Sequence, residues 1–131
     1  MKAITQEWLN FAKTDIIVAK NSLSDEYITN AVAFHAQQTV EKCFKATIEE
    51  NDLRLKRIHN LIKLYQIVEP LIDFSVDKEK LRQIDEVYTT SRYPGDLGLL
   101  PNGKPSSKDA KEMYEFAKQI YDNTIKMFSN T

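Results

Sequence analysis

His35, Gln38, Lys42 and Lys45 are the residues whose types and spacing best suit chemistry in this sequence. Steps of three, four and three residues stack them along one face of an α-helix. Read functionally, that face is a polar groove for a nucleotide or a phosphate. Read structurally, it is a solvated face on which Glu41 and Lys45 form an i,i+4 pair. The opposite face is apolar, with Val32, Ala36, Val40, Cys43, Phe44 and Thr47. The chain has two histidines, His35 and His59. Histidine is the side chain best placed to move a proton near neutral pH.

Other chemistries find less support. Cys43 lies on the apolar face with no histidine near it in sequence, so it reads as a buried structural thiol and not a nucleophile. There is no Cys/His cluster and no Glu-x-x-His pair, so neither metal nor cofactor is expected. The segment Gly95 to Pro105 lacks the spacing of a phosphate-binding P-loop and follows no strand. Its Leu97, Leu99 and Leu100 are too apolar for a mere linker. It either folds back over the domain or meets a partner protein. Glu49-Glu50 and Asp85-Glu86 read as exposed helix charge. Trp8 and the tyrosines read as core or interface.

The elements that must hold these residues are helical. All three glycines and three of the four prolines lie between Arg92 and Ser106, and the fourth proline is Pro70. The rest of the chain is free of helix breakers. A first helix is expected after Thr5, with Trp8, Ala12, Ile16, Ala19 and Leu23 inward and Phe11 beside them. It ends in a turn near Asn21 to Tyr27. A second runs from Thr29 to Glu50. A third holds Leu61, Ile62, Leu64, Tyr65 and Val68 and stops at Pro70. Ser75 and Asp77 start a fourth, with Leu81, Ile84, Val87 and Tyr88 inward. Ser106 and Ser107 start the last, which buries Ala110, Met113, Ala117, Ile120, Tyr121, Ile125 and Phe128. Short connections make such helices antiparallel neighbours. The expectation is one all-α domain over residues 1–131, an up-and-down bundle of four long helices and a short one.

The chain has 131 residues, of which 42% are hydrophobic and 28% charged, which is enough to bury a core. Eighteen Lys and Arg against nineteen Asp and Glu give a formal charge of −1. That excludes a strongly basic polyanion binder but not a local basic patch. One cysteine excludes an internal disulfide. No apolar run suits a signal peptide or a membrane span, so a soluble, cytoplasmic protein without membrane contact is expected.

Three segments in order carry a resemblance. They are Ala33-Phe34-His35-Ala36-Gln37-Gln38-Thr39-Val40-Glu41-Lys42-Cys43-Phe44-Lys45-Ala46, then His59-Asn60-Leu61-Ile62-Lys63-Leu64, then Ser91-Arg92-Tyr93-Pro94. Behind a leading helix with Trp8 and Ala19, they resemble the HEPN domain over nearly the whole chain. The resemblance implies the helical bundle and a homodimer. It implies pairing with a minimal nucleotidyltransferase in a toxin-antitoxin-like system. It also raises the nucleotide-binding reading of Gln38 and Lys42, and it singles out Arg92. Arg92 either serves the helix dipole at a C-terminus or binds phosphate.

Some members of that family are metal-independent RNases with an Arg, a short spacer and a His. Arg54 and His59 have that spacing. Leu55 stands where those RNases carry a polar residue, and Leu61 where they often carry a tyrosine. Cleaving RNA without metal takes a proton carrier and a cation facing the phosphate, roles suited to His59 and to Arg54 or Arg57. The structural alternative is that His59 caps or packs the third helix.

Overall fold

The computed structural model describes residues 1–54, 57–91 and 104–129, and the side chains of 90 and 91 fall outside that description. Arg92, and with it the Arg92-Tyr93-Pro94 segment and the apolar part of the Gly/Pro-rich loop, lies outside the described residues.

The protein is an all-helical bundle. Its α-helices are α1 (Ala3–Ser22), α2 (Thr29–Glu50), α3 (Leu61–Val68), α4 (Lys78–Ser91) and α5 (Ser107–Ser129). Four are long and α3 has 8 residues. No strand occurs among the described residues, and none of their helices is long and apolar enough to cross a membrane.

α2 is the axis of the bundle and packs against each of the other four α-helices. Its small residues Ala33, Ala36 and Ala46 are fully buried, which lets neighbours approach closely. Val40, Cys43 and Phe44 join Leu61, Leu64 and Leu81 in the main core. Phe44 and Tyr65 stack at 5.9 Å between centroids.

Side-chain oxygens set several helix starts. Asn60 Oδ1 accepts from the Lys63 N–H at 3.0 Å. Asp77 Oδ1 accepts from the N–H groups of Glu79 and Lys80. Asp77, not Ser75, is therefore the cap of α4. Ser106 Oγ accepts from the Asp109 N–H, as expected for α5. Pro70 lies in a 3-10 turn, Glu69–Leu71, just past α3.

α1 departs from expectation. It starts at Ala3, before Thr5. Thr5 is buried and its hydroxyl donates to Glu50 at 2.9 Å. The Lys2 N–H donates to the same carboxylate, and the Lys2 ammonium reaches the Glu49 carbonyl and Asp52. The start of α1 is thus clasped to the end of α2. Phe11 is 61% exposed, because α2 covers the neighbouring positions Leu9, Ala12 and Ile16. In α5, Phe116 and Thr124 are buried, whereas Tyr121 and Ile125 are only half-buried.

Candidate functional site

At about 100° per residue, Phe34, Gln38, Lys42 and His35 fall within a sector of roughly 100° on α2. That sector is the helix's open strip: Phe34 is exposed, and the other three are half-buried. The rest of the circumference is largely covered. Two buried carboxylates lie beside the strip, one on each flank.

The first is Asp15, on α1. It is only 5% exposed. His35 Nδ1 meets its Oδ1 at 2.8 Å, and the Lys42 ammonium meets Oδ2. A carboxylate oxygen can only accept, so Nδ1 must carry the proton that His35 shares with Asp15. Lys42 also lies over the Phe11 ring, 6.0 Å from its centroid. Phe34 packs edge-on against the His35 ring at 5.1 Å and reaches Tyr88 at 5.5 Å.

The second is Glu41, on α2 itself. Its Oε2 receives the Lys45 ammonium at 3.1 Å and faces His59 Nδ1 at 3.3 Å. Its Oε1 accepts from the Gln37 amide at 3.3 Å. Gln37 also donates to the His59 carbonyl at 3.1 Å and accepts from Gln38 at 2.8 Å. Lys45 lies 5.6 Å from the Trp8 ring centroid. The i,i+4 pair of Glu41 and Lys45 therefore exists, but both residues are buried. The solvated-face expectation fails for them because Trp8 and the segment leading into α3 close over that flank.

His59 keeps 71% of its side chain exposed, against 26% for His35. His35 and Glu41 are six positions apart on α2, about 120° around the helix. Each histidine thus has its own carboxylate on its own flank. Arg54 is exposed, two residues beyond Asp52. Asp52 has φ 57° and closes α2 in a Schellman turn, with Leu53 N–H on the Ile48 carbonyl and Asp52 N–H on that of Glu49.

Asp15 and Gln37 were not among the residues singled out by spacing, and by spacing Glu41 reads only as the i,i+4 partner of Lys45 on a solvated face. Asp15 sits twenty residues before His35 in sequence, and only the packing of α1 on α2 joins them. Nor are the acidic pairs simple surface charge. Asp85 Oδ2 accepts from the Leu61 N–H at 2.7 Å at the start of α3. Burial pushes its carboxyl above the ordinary carboxylate range, against the lowering effect of that bond. In Glu50 the Lys2 N–H, then the Thr5 hydroxyl, hold the carboxyl below its ordinary range. Cys43 is wholly buried, and desolvation pushes its thiol up to about 12, so it is no nucleophile. No group of three or more His, Cys, Asp or Glu able to hold a metal occurs among the described residues.

A family model of the HEPN domain matches residues 5–127. The chain belongs to the HEPN domain family. No curated protein and no solved structure matches it. Membership makes this a nucleotide- or RNA-related HEPN protein at the level of the family. Within the HEPN bundle, the first characteristic segment forms the open strip of α2 and the core beneath it. The second places His59 and Asn60 against that strip's flank and at the start of α3.

Proposed function

We propose that this HEPN domain binds a nucleotide or an RNA phosphate along the open strip of α2. It would act as a homodimer and as one half of a toxin-antitoxin-like pair with a nucleotidyltransferase. One observation carries the binding reading. Along the strip, the carboxylates of Asp15 and Glu41 are buried, while the nitrogen-bearing groups His35, Gln38 and Lys42 keep open surface. An incoming phosphate meets donors first and negative charge last. Lys45, buried against Glu41, and Arg92 are assigned to the same ligand.

The test is thermal unfolding with inorganic phosphate, a nucleoside monophosphate and a short RNA. A ligand of the folded state at a hundred times its Kd stabilises by about 2.7 kcal/mol. Lys42→Met and Gln38→Ala should remove the rise in Tm; a rise that both variants retain rejects the site. Sedimentation tests the homodimer. Co-elution with a nucleotidyltransferase encoded beside this chain tests the pairing.

The runner-up is a metal-independent RNase using Arg54 and His59. It is favoured by the contact of His59 Nδ1 with buried Glu41, which leaves the exposed edge of the ring to a substrate. An RNA cleavage assay in excess chelator, with folded Arg54→Ala and His59→Ala variants, decides it. Loss of cutting in both supports the pair, and uncut RNA with the wild type rejects it.

A further inference from the structure

We infer that the α2 strip takes up a phosphate together with one proton, held between Nε2 of His35 and a phosphate oxygen, so that its affinity falls as the pH rises. This coupling rests on the reading that the strip binds phosphate, and it adds a control by pH to that site.

The position of one proton decides the matter. Oδ1 of buried Asp15 meets Nδ1 of His35 at 2.8 Å. A carboxylate oxygen accepts and does not donate, so the neutral ring keeps its single proton on Nδ1. Nδ1 is committed to a buried residue, and the 26% of the side chain that stays open is what a ligand reaches. There Nε2 presents a lone pair, which repels an ionised phosphate oxygen. Only the doubly protonated ring makes Nε2 a donor, and then a charge-assisted one. Charge gives the same sign. Lys42 holds the other oxygen of Asp15, so with a neutral ring the charges of the trio cancel. One added proton leaves the trio positive, which suits an anion.

The other groups around the ring leave that assignment in place. From α1 comes Asp15, the only carboxylate in ion-pair contact with His35 among the described residues. On α2, Lys42 is joined to the ring through Asp15, and Phe34 packs edge-on against it at 5.1 Å. On α4, Tyr88 stands against Phe34 at 5.5 Å. Glu41, Lys45 and His59 form a separate group on the other flank. His59 lacks the same constraint, because 71% of its side chain is exposed and the oxygen it faces at 3.3 Å is shared with Lys45. The proton comes from solvent or arrives on the phosphate itself, whose second ionisation lies near about pH 6. No bond of the ligand breaks. Where ring and phosphate are both deprotonated beforehand, each ligand bound takes up one proton, and affinity falls by up to about tenfold for each pH unit.

The experiment is calorimetry on the full chain with a nucleoside 5′-monophosphate, in two buffers of different ionisation enthalpy. It runs from about pH 6 to about pH 9, across the ordinary titration of histidine. The nucleoside without its phosphate is the control. Uptake should rise to about one proton per nucleotide at the alkaline end, with affinity falling alongside. Nitrogen-15 shifts of the two histidines should show a bare Nε2 on His35 in the free wild type at alkaline pH and a protonated one in the complex. Asp15→Asn offers Nδ1 an amide N–H as well as an oxygen, so a neutral ring can hold its proton on Nε2. Uptake by that variant should drop below about half a proton, a change that a merely structural Asp15 would not produce. Should the variant not fold, the nitrogen shifts of the wild type decide. Nucleotide bound at every pH with no proton taken up, or with the proton on His59, overturns this inference and spares the binding reading. Equal uptake with the bare nucleoside also overturns it, because the phosphate is then not the cause. A wild type that binds no nucleotide at any pH overturns both.

Discussion

His59 Nδ1 rests 3.3 Å from Oε2 of Glu41, a carboxylate buried beneath it and shared with Lys45. The contact ties the segment entering α3 to the axis of the bundle. It also makes Oε2 of Glu41 answerable for two partners, one buried and one exposed.

Glu41→Ala should therefore cost more than a surface ion pair. It leaves the Lys45 ammonium inside the protein without a counter-charge. Breaking such a buried pair destabilises by about 3–5 kcal/mol. Urea unfolding should register that loss. The double variant Glu41→Leu with Lys45→Met should recover most of it, since no lone charge remains. A single variant within about 0.5 kcal/mol of wild type would show that Lys45 escapes to water.

Phe11→Ala should leave stability almost unchanged, within about 0.5 kcal/mol, because the ring is exposed. Leu64→Ala, fully enclosed in α3, should lose about 2–5 kcal/mol through the cavity it opens. Thermal melts of the two variants test the register of α1 against that of α3. Near-equal losses would mean that Phe11 is covered in solution.

Two carboxylates give opposite pH signatures. Glu50 is held below its ordinary range by the Lys2 N–H and Thr5. Its contribution is present above its unfolded pKa and lost as pH falls through the lower folded value. Glu50→Gln should flatten the acid limb of a stability–pH curve. Asp85 is shifted upward, chiefly by burial. Its contribution is full below its unfolded pKa and declines as pH rises through the raised folded value. Asp85→Asn keeps an oxygen for the Leu61 N–H and should be at least as stable as wild type at neutral pH. Denaturant titrations from acid to neutral pH check both signs.

Cys43 should resist thiol reagents in the native protein. Its thiol stands at about 12 within a closed core. Labelling at pH 8 should be slow, and should accelerate with denaturant as the bundle opens. Fast labelling without denaturant would contradict that burial.

The fold was legible where local rules dominate. α2 runs from Thr29 to Glu50 as its periodicity indicates. The scarcity of glycine and proline announced the bundle, and Ser106 announced α5. What escaped detection depends on how helices pack. Nothing near Asp15 in sequence marks it as the partner of His35 and Lys42. Glu41 looked like surface charge because its i,i+4 lysine is equally common on open faces; the cover supplied by Trp8 is a tertiary fact. Phe11 looked inward because it neighbours Ala12 and Trp8, yet one step along a helix turns a side chain by about 100°. Thr5 looked like a cap, but its hydroxyl had a better acceptor in Glu50, 45 residues away.

The enclosure of α2 by the other four α-helices also sets how such a domain can diversify. Most substitutions on α2 disturb the core first and the strip second. For the proposed ligand, new specificity is cheapest to acquire at the borders: on α1 around Phe11, at His59, and at Tyr88 on α4. Descendants of one ancestral bundle can then keep a nearly constant central helix while their ligands diverge, with inheritance concentrated in the axis and innovation in the rim.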